Sequence, residues 1–470
     1  MTAATTGPEA LRPSQRLGWI DLMRLSLFQA CLGTLAVVFT GMFNRILITE
    51  LAFPALLAGG GLAFEQLVSP SRVLFGHLSD SRPWFGAHRT PYILVGAIGI
   101  CLLAALSVPI SFAVREAITS GSVALGTAGV LAFCGLFAAY GLCTSLASTS
   151  YLALVIDRSS EEERPRCIGI IWAMLTVGIV VGAIVISLAT RSMDGIETPE
   201  LLQPLLQSFM QRVALAVLLL TLVAILGMER RRDRARETAT QDLVTLNDAW
   251  AVITSSRQIL VFFGFLVLYT LGLFLQDPIL ESFAAEVFGM PISKTTLLNA
   301  YWGSGTLVGL LFAGLWFTPK VGKLATARIG CWLVVVSLAL LVLTGWLEAM
   351  RFLPAVMVLF GLAAGIGTNS ALTLMLDLTL PAMAGTFVGI WGLAQAISRA
   401  LGKVGGGGLL DLGRRLFPDQ GPFSGFALVF GVEIVVMIAA ALVLNHLSVR
   451  QFRAATAQRL ETVLLAEIEG

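Results

Sequence analysis

Long apolar runs, broken by short stretches of glycine, proline and charge, dominate the chain. A helix that crosses a bilayer needs about 20 mostly apolar residues. Twelve runs meet that requirement: 25–48, 52–76, 91–113, 122–156, 167–190, 208–228, 259–283, 297–318, 328–347, 352–378, 386–409 and 423–446. They are unbroken rather than alternating, which argues against an outer-membrane barrel. The pattern predicts an all-α polytopic membrane protein with twelve transmembrane helices. The fourth run is long enough to extend beyond the bilayer. Most connections are short, the exceptions being 229–258 and the tail after Leu447.

Composition confirms the class. Of 470 residues, 56% are hydrophobic and 13% charged, with a mean hydropathy of +0.85. Soluble domains carry about 25% charged residues, and one soluble core would not hide this much apolar surface. The net charge of +2 gives no mandate for nucleic-acid binding. Residues 1–16 are polar and show no apolar core before a cleavage site, so no secretory leader is expected.

The basic residues orient the chain. With the N-terminus inside, about two thirds of the 31 basic residues fall on the cytoplasmic side. Both termini are therefore expected in the cytoplasm of a multi-pass protein. Arg230, Arg231, Arg232, Arg234 and Arg236 follow the sixth run and read first as a positive-inside anchor. Leu243, Leu246, Trp250 and Ile253 then recur at helical spacing, predicting a short amphipathic helix on the inner leaflet. The organisation expected is a cytoplasmic segment 1–24, a six-helix bundle 25–228, a linker 229–258, a second six-helix bundle 259–446 and a cytoplasmic tail 447–470.

The halves resemble each other. The first run ends Asn44-Arg45-Ile46-Leu47-Ile48-Thr49-Glu50, and the seventh ends Gln276-Asp277-Pro278-Ile279-Leu280-Glu281. Each is a polar pair, an apolar step and a glutamate. Two six-helix halves of this kind suit the major facilitator fold. After the second run, Gly76, Asp80 and Arg82, followed by Gly86 and Arg89, resemble the facilitator loop motif between helices two and three. Gly76 is expected to permit close helix approach, and Asp80 to accept hydrogen bonds from basic groups or a helix N-terminus. In facilitators that contact latches the cytoplasmic side. The insertion Pro83-Trp84-Phe85 departs from the motif. The corresponding loop, Pro319 to Arg328, keeps basic residues without an aspartate, which assigns the latch to the first half.

Ionisable groups inside spans are costly and usually face a bundle interior. Here they are Arg45, Glu50, Glu65, Arg72, Asp277, Glu281, Asp377, Arg399, Lys403 and Glu433. The candidates for a ligand-binding or inter-half polar cluster are Asn44, Arg45, Glu50, Glu65, Asp277, Glu281, Asn369, Gln395, Arg399 and Lys403. Asp277 and Glu281, four apart, are expected to share a helix face, with Arg45 as their cation. On straight helices Glu65 lies about 18 Å, and Arg399 about 20 Å, from the inner ends of their runs. That matching depth predicts a Glu65–Arg399 pair. The competing reading of all these residues is polar glue between helices. For Glu433 it is a locally satisfied carboxyl.

No Walker or dinucleotide-binding glycine motif opens a strand-to-helix turn, so no ATP or NAD site is expected. No nucleophile–base constellation stands out, and no enzyme activity is expected. Gly405 to Gly408 read as a flexible or closely packed helix end. The six cysteines lie in or beside apolar runs and form no CxxC pair, which reads as small hydrophobes rather than disulfides or a metal site. His77 and His88 lie in a loop and His446 ends the last run, leaving no histidine mid-membrane.

Several stretches go beyond generic facilitator sequence. They are residues 43–51, 72–80 and 88–92, Gln276 to Glu281 with Glu286-Val287-Phe288-Gly289-Met290, and Gly389 to Gln395. Together they resemble the bacteriochlorophyll delivery family, the PucC/LhaA-type assembly factors of purple phototrophic bacteria, over nearly all twelve runs. The resemblance implies a facilitator fold in the inner or intracytoplasmic membrane. It implies a role in assembling light-harvesting antenna complexes, with bacteriochlorophyll as cargo. The partners implied are antenna polypeptides, the reaction-centre core complex and bacteriochlorophyll synthase. Without a mid-membrane histidine, axial ligation of the magnesium would fall to Asn, Gln, a carboxylate, a backbone carbonyl or water. The alternatives are a proton-coupled secondary transporter of a small solute, using Glu65, Asp277 or Glu281, and a scaffold that recruits antenna polypeptides.

Overall fold

The structure, a computed structural model, describes residues 17–84, 86–160, 163–196, 198–229, 257–378 and 384–448. The expected amphipathic helix at 243–253, the N-terminal segment to residue 16 and the tail from 449 lie outside the described residues, as does the side chain of Asp377.

Backbone N–H and C=O groups find no water in a bilayer core and must pair within the chain, so the apolar runs fold as helices. All twelve coincide with helix. The first half holds α1 (Trp19–Glu50), α2 (Ala55–Leu67), α3 (Ser71–Ser81), α4 (Thr90–Thr119), α5 (Val123–Arg158), α6 (Arg164–Ala189) and α7 (Pro199–Ile225). The second holds α8 (Arg257–Phe274), α9 (Leu280–Phe288), α10 (Ile292–Val321), α11 (Lys323–Trp346), α12 (Leu353–Leu378), α13 (Ala384–Leu416) and α14 (Pro422–Val443). Ten described helices are long and apolar enough to cross a membrane. Their outward faces carry apolar side chains such as Leu131, Val181, Leu219, Val336 and Val435, as a lipid-facing surface requires.

Two runs read as continuous are broken, each at a proline. The second splits into α2 and α3 because Pro70 has no N–H to continue the ladder, and the chain turns through Val68–Pro70. The seventh splits into α8 and α9 at Pro278, with residues 275–279 outside helix. The eleventh run departs the other way. Its helix continues through Gly405–Gly408 to Leu416, so the glycines do not end it. They admit neighbours: a side chain at Gly406 would strike the Leu275 carbonyl, and one at Gly407 the Ala55 carbonyl.

In α1, wide π-helical turns at Val37–Phe43 and Ile46–Glu50 flank Asn44 and Arg45. Such turns shift the register of the side chains that follow, and they recur at functional sites. The halves meet where α2 packs on α13 and α6 on α10. The connections lie alternately on two faces. One carries Arg82, Arg89, Arg158 and Arg328 and is called the basic face below. The other carries residues 51–54, 190–196, 289–291 and 417–421 and is called the opposite face.

Candidate functional site

Two polar clusters fill the interface between the halves. The first gathers the end of α1 against α9 and α10. Arg45, 5% exposed, donates to Glu50 at 3.1 Å and to the Met290 carbonyl at 3.1 Å. Asn44 donates to the Pro278 carbonyl, which the helix break leaves free. Glu281, also buried, accepts from Asn299 at 2.6 Å, Thr295 at 3.1 Å and Thr296 at 3.4 Å, and faces the charge of Arg45. A side chain at Gly41 would collide with that carboxylate. Nearby, Glu286 holds Arg414 through two contacts of 2.8 Å and takes a longer bond from Thr49.

The second cluster lies deeper. Lys403 sits 3.8 Å from Glu65. Asp277 faces both Lys403 and Arg399. The Arg399 guanidinium lies over the Phe274 ring, 4.4 Å from its centroid, and interacts with Asp277, Arg72 and Glu65. Among the described residues its Nε has no hydrogen-bond partner. Gln395 is half-buried one turn before it. This set of opposite charges, an aromatic face and an unsatisfied donor suits an amphiphile with carbonyl or carboxylate groups on an apolar body.

Three expectations change. Asp277 and Glu281 do not share a helix face, because Pro278 places Asp277 in a turn and leaves Glu281 in the first turn of α9. They divide between the two clusters, so Arg45 serves Glu281 while Lys403 and Arg399 serve Asp277. Glu65 makes its ion pair with Lys403 rather than Arg399, because the break at Pro70 removes the straight helix on which its depth was reckoned. Asn369 belongs to neither cluster. It accepts from Thr318 at 3.5 Å and packs against Gly314 in a π-helical turn of α10, joining two helices of one half.

The loop motif is built around Arg89, which is buried. It donates to Asp80 at 2.5 Å, to Ser79 at 2.7 Å and to Asp157 at 3.0 Å. Gly86 takes φ +80°, a conformation that suits glycine. Gly76 is different: a methyl there would meet Thr149 at an ordinary 3.5 Å, so close helix approach does not require it. The Arg82 side chain is exposed, while its carbonyl accepts from Tyr92 at 2.7 Å. The inserted Trp84 stacks on Tyr92 at 5.2 Å.

Glu229, just beyond α7, accepts the backbone N–H groups of His88, Arg89 and Thr90 at 2.5, 2.9 and 2.7 Å. Burial works against its charge. The three donors at the start of α4 outweigh that and hold the carboxyl below the usual glutamate range. Sequence reasoning passed over Glu229, Asp157, Asn299 and Glu286. Glu229 opens the arginine run, and Glu286 lies in a stretch already singled out, but neither shows its partner locally.

The family model described as PUCC protein matches residues 42–452. The chain is 31% identical over 459 residues to the bacteriochlorophyll synthase 44.5 kDa chain of Rhodobacter capsulatus, covering 96% of this chain and 100% of that one. It is 29% identical over 422 residues to Protein PucC of Rhodovulum sulfidophilum, covering 87% and 89%. A D-xylose–proton symporter superposes with a TM-score of 0.64 at 15% identity, covering 90% of this chain and 96% of the symporter. A bacterial homologue of the iron transporter ferroportin, in an inward-facing state, gives 0.64 at 12%, covering 91% and 97%. At these identities the solved structures speak for the fold, which is that of the major facilitators. Matched by its family model over most of its length, the chain belongs to the PucC family.

Proposed function

We propose that this protein is a membrane assembly factor for bacterial light-harvesting antenna complexes, which binds bacteriochlorophyll and delivers it to antenna polypeptides. The family match over residues 42–452 carries this reading. It works without enzymatic chemistry, in the inner or intracytoplasmic membrane, with both termini in the cytoplasm. Its partners are the antenna polypeptides, the reaction-centre core complex and bacteriochlorophyll synthase.

The site chemistry supports a pigment as cargo. Bacteriochlorophyll pairs an apolar tail and macrocycle with ring carbonyls and a magnesium ion. Arg399 and Lys403 supply donors for the carbonyls, and the Phe274 face supplies apolar contact. Gln395 or a carboxylate of the same cluster supplies an oxygen for the metal. Oxygen suits magnesium, and a single such ligand suits a carrier that must release its load. Purification from a pigment-producing host tests the reading. Near-stoichiometric bacteriochlorophyll, lowered severalfold by Arg399→Ala, is expected. Pigment-free protein from such a host would contradict carriage.

The buried charges also favour a second reading, a secondary transporter of a small solute coupled to protons through Glu65, Asp277 or Glu281. Uptake of a solute driven by a proton gradient, with antenna assembly unchanged in a deletion strain, would support that reading instead.

A further inference from the structure

Two helices that begin at the opposite face lack a cap of their own. The N-cap residue of α2 is Pro54 and that of α10 is Pro291, and neither has a side-chain oxygen for the first-turn N–H groups. Both are capped from across the molecule. Asp411 of α13 accepts the N–H of Ala55 at 2.9 Å through Oδ1 and that of Leu56 at 2.8 Å through Oδ2. Asp194, after α6, accepts the N–H of Ser293 at 3.0 Å through Oδ1 and its hydroxyl at 2.5 Å through Oδ2.

These contacts are equivalent by the internal repeat. Helix α2 forms the first part of the second apolar run and α10 contains the eighth, and Asp194 and Asp411 follow the fifth and eleventh. Each half thus lends one aspartate to one helix N-terminus of the other, where a carboxylate meets both free donors and the positive end of the helix dipole. Other bonds between the halves lie toward the same face: Asn44 to Pro278, Arg45 to Met290 and Thr49 to Glu286. By contrast, the Arg89 network and the Arg328 bond to the Leu444 carbonyl on the basic face each stay within one half.

We propose that Asp194 and Asp411 are a quasi-symmetric pair of latches that hold the opposite face shut, and that this face opens when both release. The bonds are few and polar, three to backbone N–H groups and one to the Ser293 hydroxyl at helix ends, so they break by rigid separation of the halves without unfolding a helix. The latch works in the same way whether the chain moves pigment or another solute.

The test uses the full chain in lipid nanodiscs, with the six native cysteines replaced. Spin labels on Ser120→Cys and Gln420→Cys, in exposed loops of the opposite face belonging to different halves, report the separation. The parent is expected to give a dominant shorter distance with a minor longer one. Asp194→Ala or Asp411→Ala should each raise the longer-distance population about tenfold, the scale of one lost charge-assisted pair of bonds. The double variant should make the longer distance dominant. An unchanged distance distribution in a folded double variant would overturn the proposal. If the double variant does not fold, Ser293→Ala with Asp411→Asn takes its place, because each keeps the local shape. A longer component there supports the latch, and its absence overturns it.

Discussion

The Lys403 ammonium lies 3.8 Å from the Glu65 carboxylate, joining α13 to α2 across the two halves, with Lys403 only 6% exposed. Opposite charges at this depth stabilise the interface only as a set. Removing one partner leaves the other costly to bury, typically by about 3–5 kcal/mol for a fully buried pair. Glu65 is partly exposed and Asp277 also faces Lys403, so Glu65→Gln should cost less, about 1–2 kcal/mol. Exchanging the two residues should recover most of the loss in thermal unfolding midpoint. An exchange no better than Glu65→Gln alone would show that the pair does not couple.

The Glu281 carboxylate is the acceptor for Asn299, Thr295 and Thr296. Glu281→Ala should destabilise the protein by about 1–3 kcal/mol, because it removes the buried acceptor these donors share, leaving Thr295 and Thr296 only the Ile292 carbonyl and Asn299 the Thr296 carbonyl. Glu281→Gln keeps an acceptor and should cost less than half as much. Equal midpoints for the two variants would contradict this account of the cluster.

At the basic face, Arg89 works through geometry as much as charge. Lysine cannot reach Asp80, Asp157 and Ser79 together, so Arg89→Lys should cost about 2 kcal/mol despite the conserved charge. Proteolysis of the 82–89 loop should rise in that variant. A loop as resistant as the parent's would remove Arg89 from its role as organiser.

Glu229 gives a pH signature. Its folded carboxyl is held below the usual glutamate value of 4.5, so its contribution is complete above that value. The contribution is lost as pH falls from there through the lower folded value. At pH 7, Glu229→Gln should cost about 1–2 kcal/mol. The gap between parent and variant should close as the pH falls below the usual value. A gap that stays constant down to pH 3 would mean that the carboxylate charge does not matter.

How much of this could be read from the chain alone depends on the range of the interaction. The helices follow from unbroken apolar runs, which local composition encodes. The Arg89–Asp80 contact spans nine residues within one motif and was legible for the same reason. The breaks were visible as Pro70 and Pro278 but were outweighed by apolar residues on both sides. That error then misplaced Glu65 and put Asp277 on the wrong surface. Lys403 and Arg399 lie one turn apart, so choosing between them as the partner of Glu65 needed a depth that a broken helix does not supply. Asp411 falls just past the expected end of the eleventh run, and its partners, Ala55 and Leu56, lie more than 350 residues away. Nothing in the local pattern records such a pairing.

A role in assembling antenna complexes shows in the absorption spectrum of membranes from a strain lacking this chain. Loss of the near-infrared antenna bands is expected while extracted bacteriochlorophyll is still made, with the bands restored by the parent chain and only weakly by Arg399→Ala. Unchanged antenna bands in the deletion strain would contradict it.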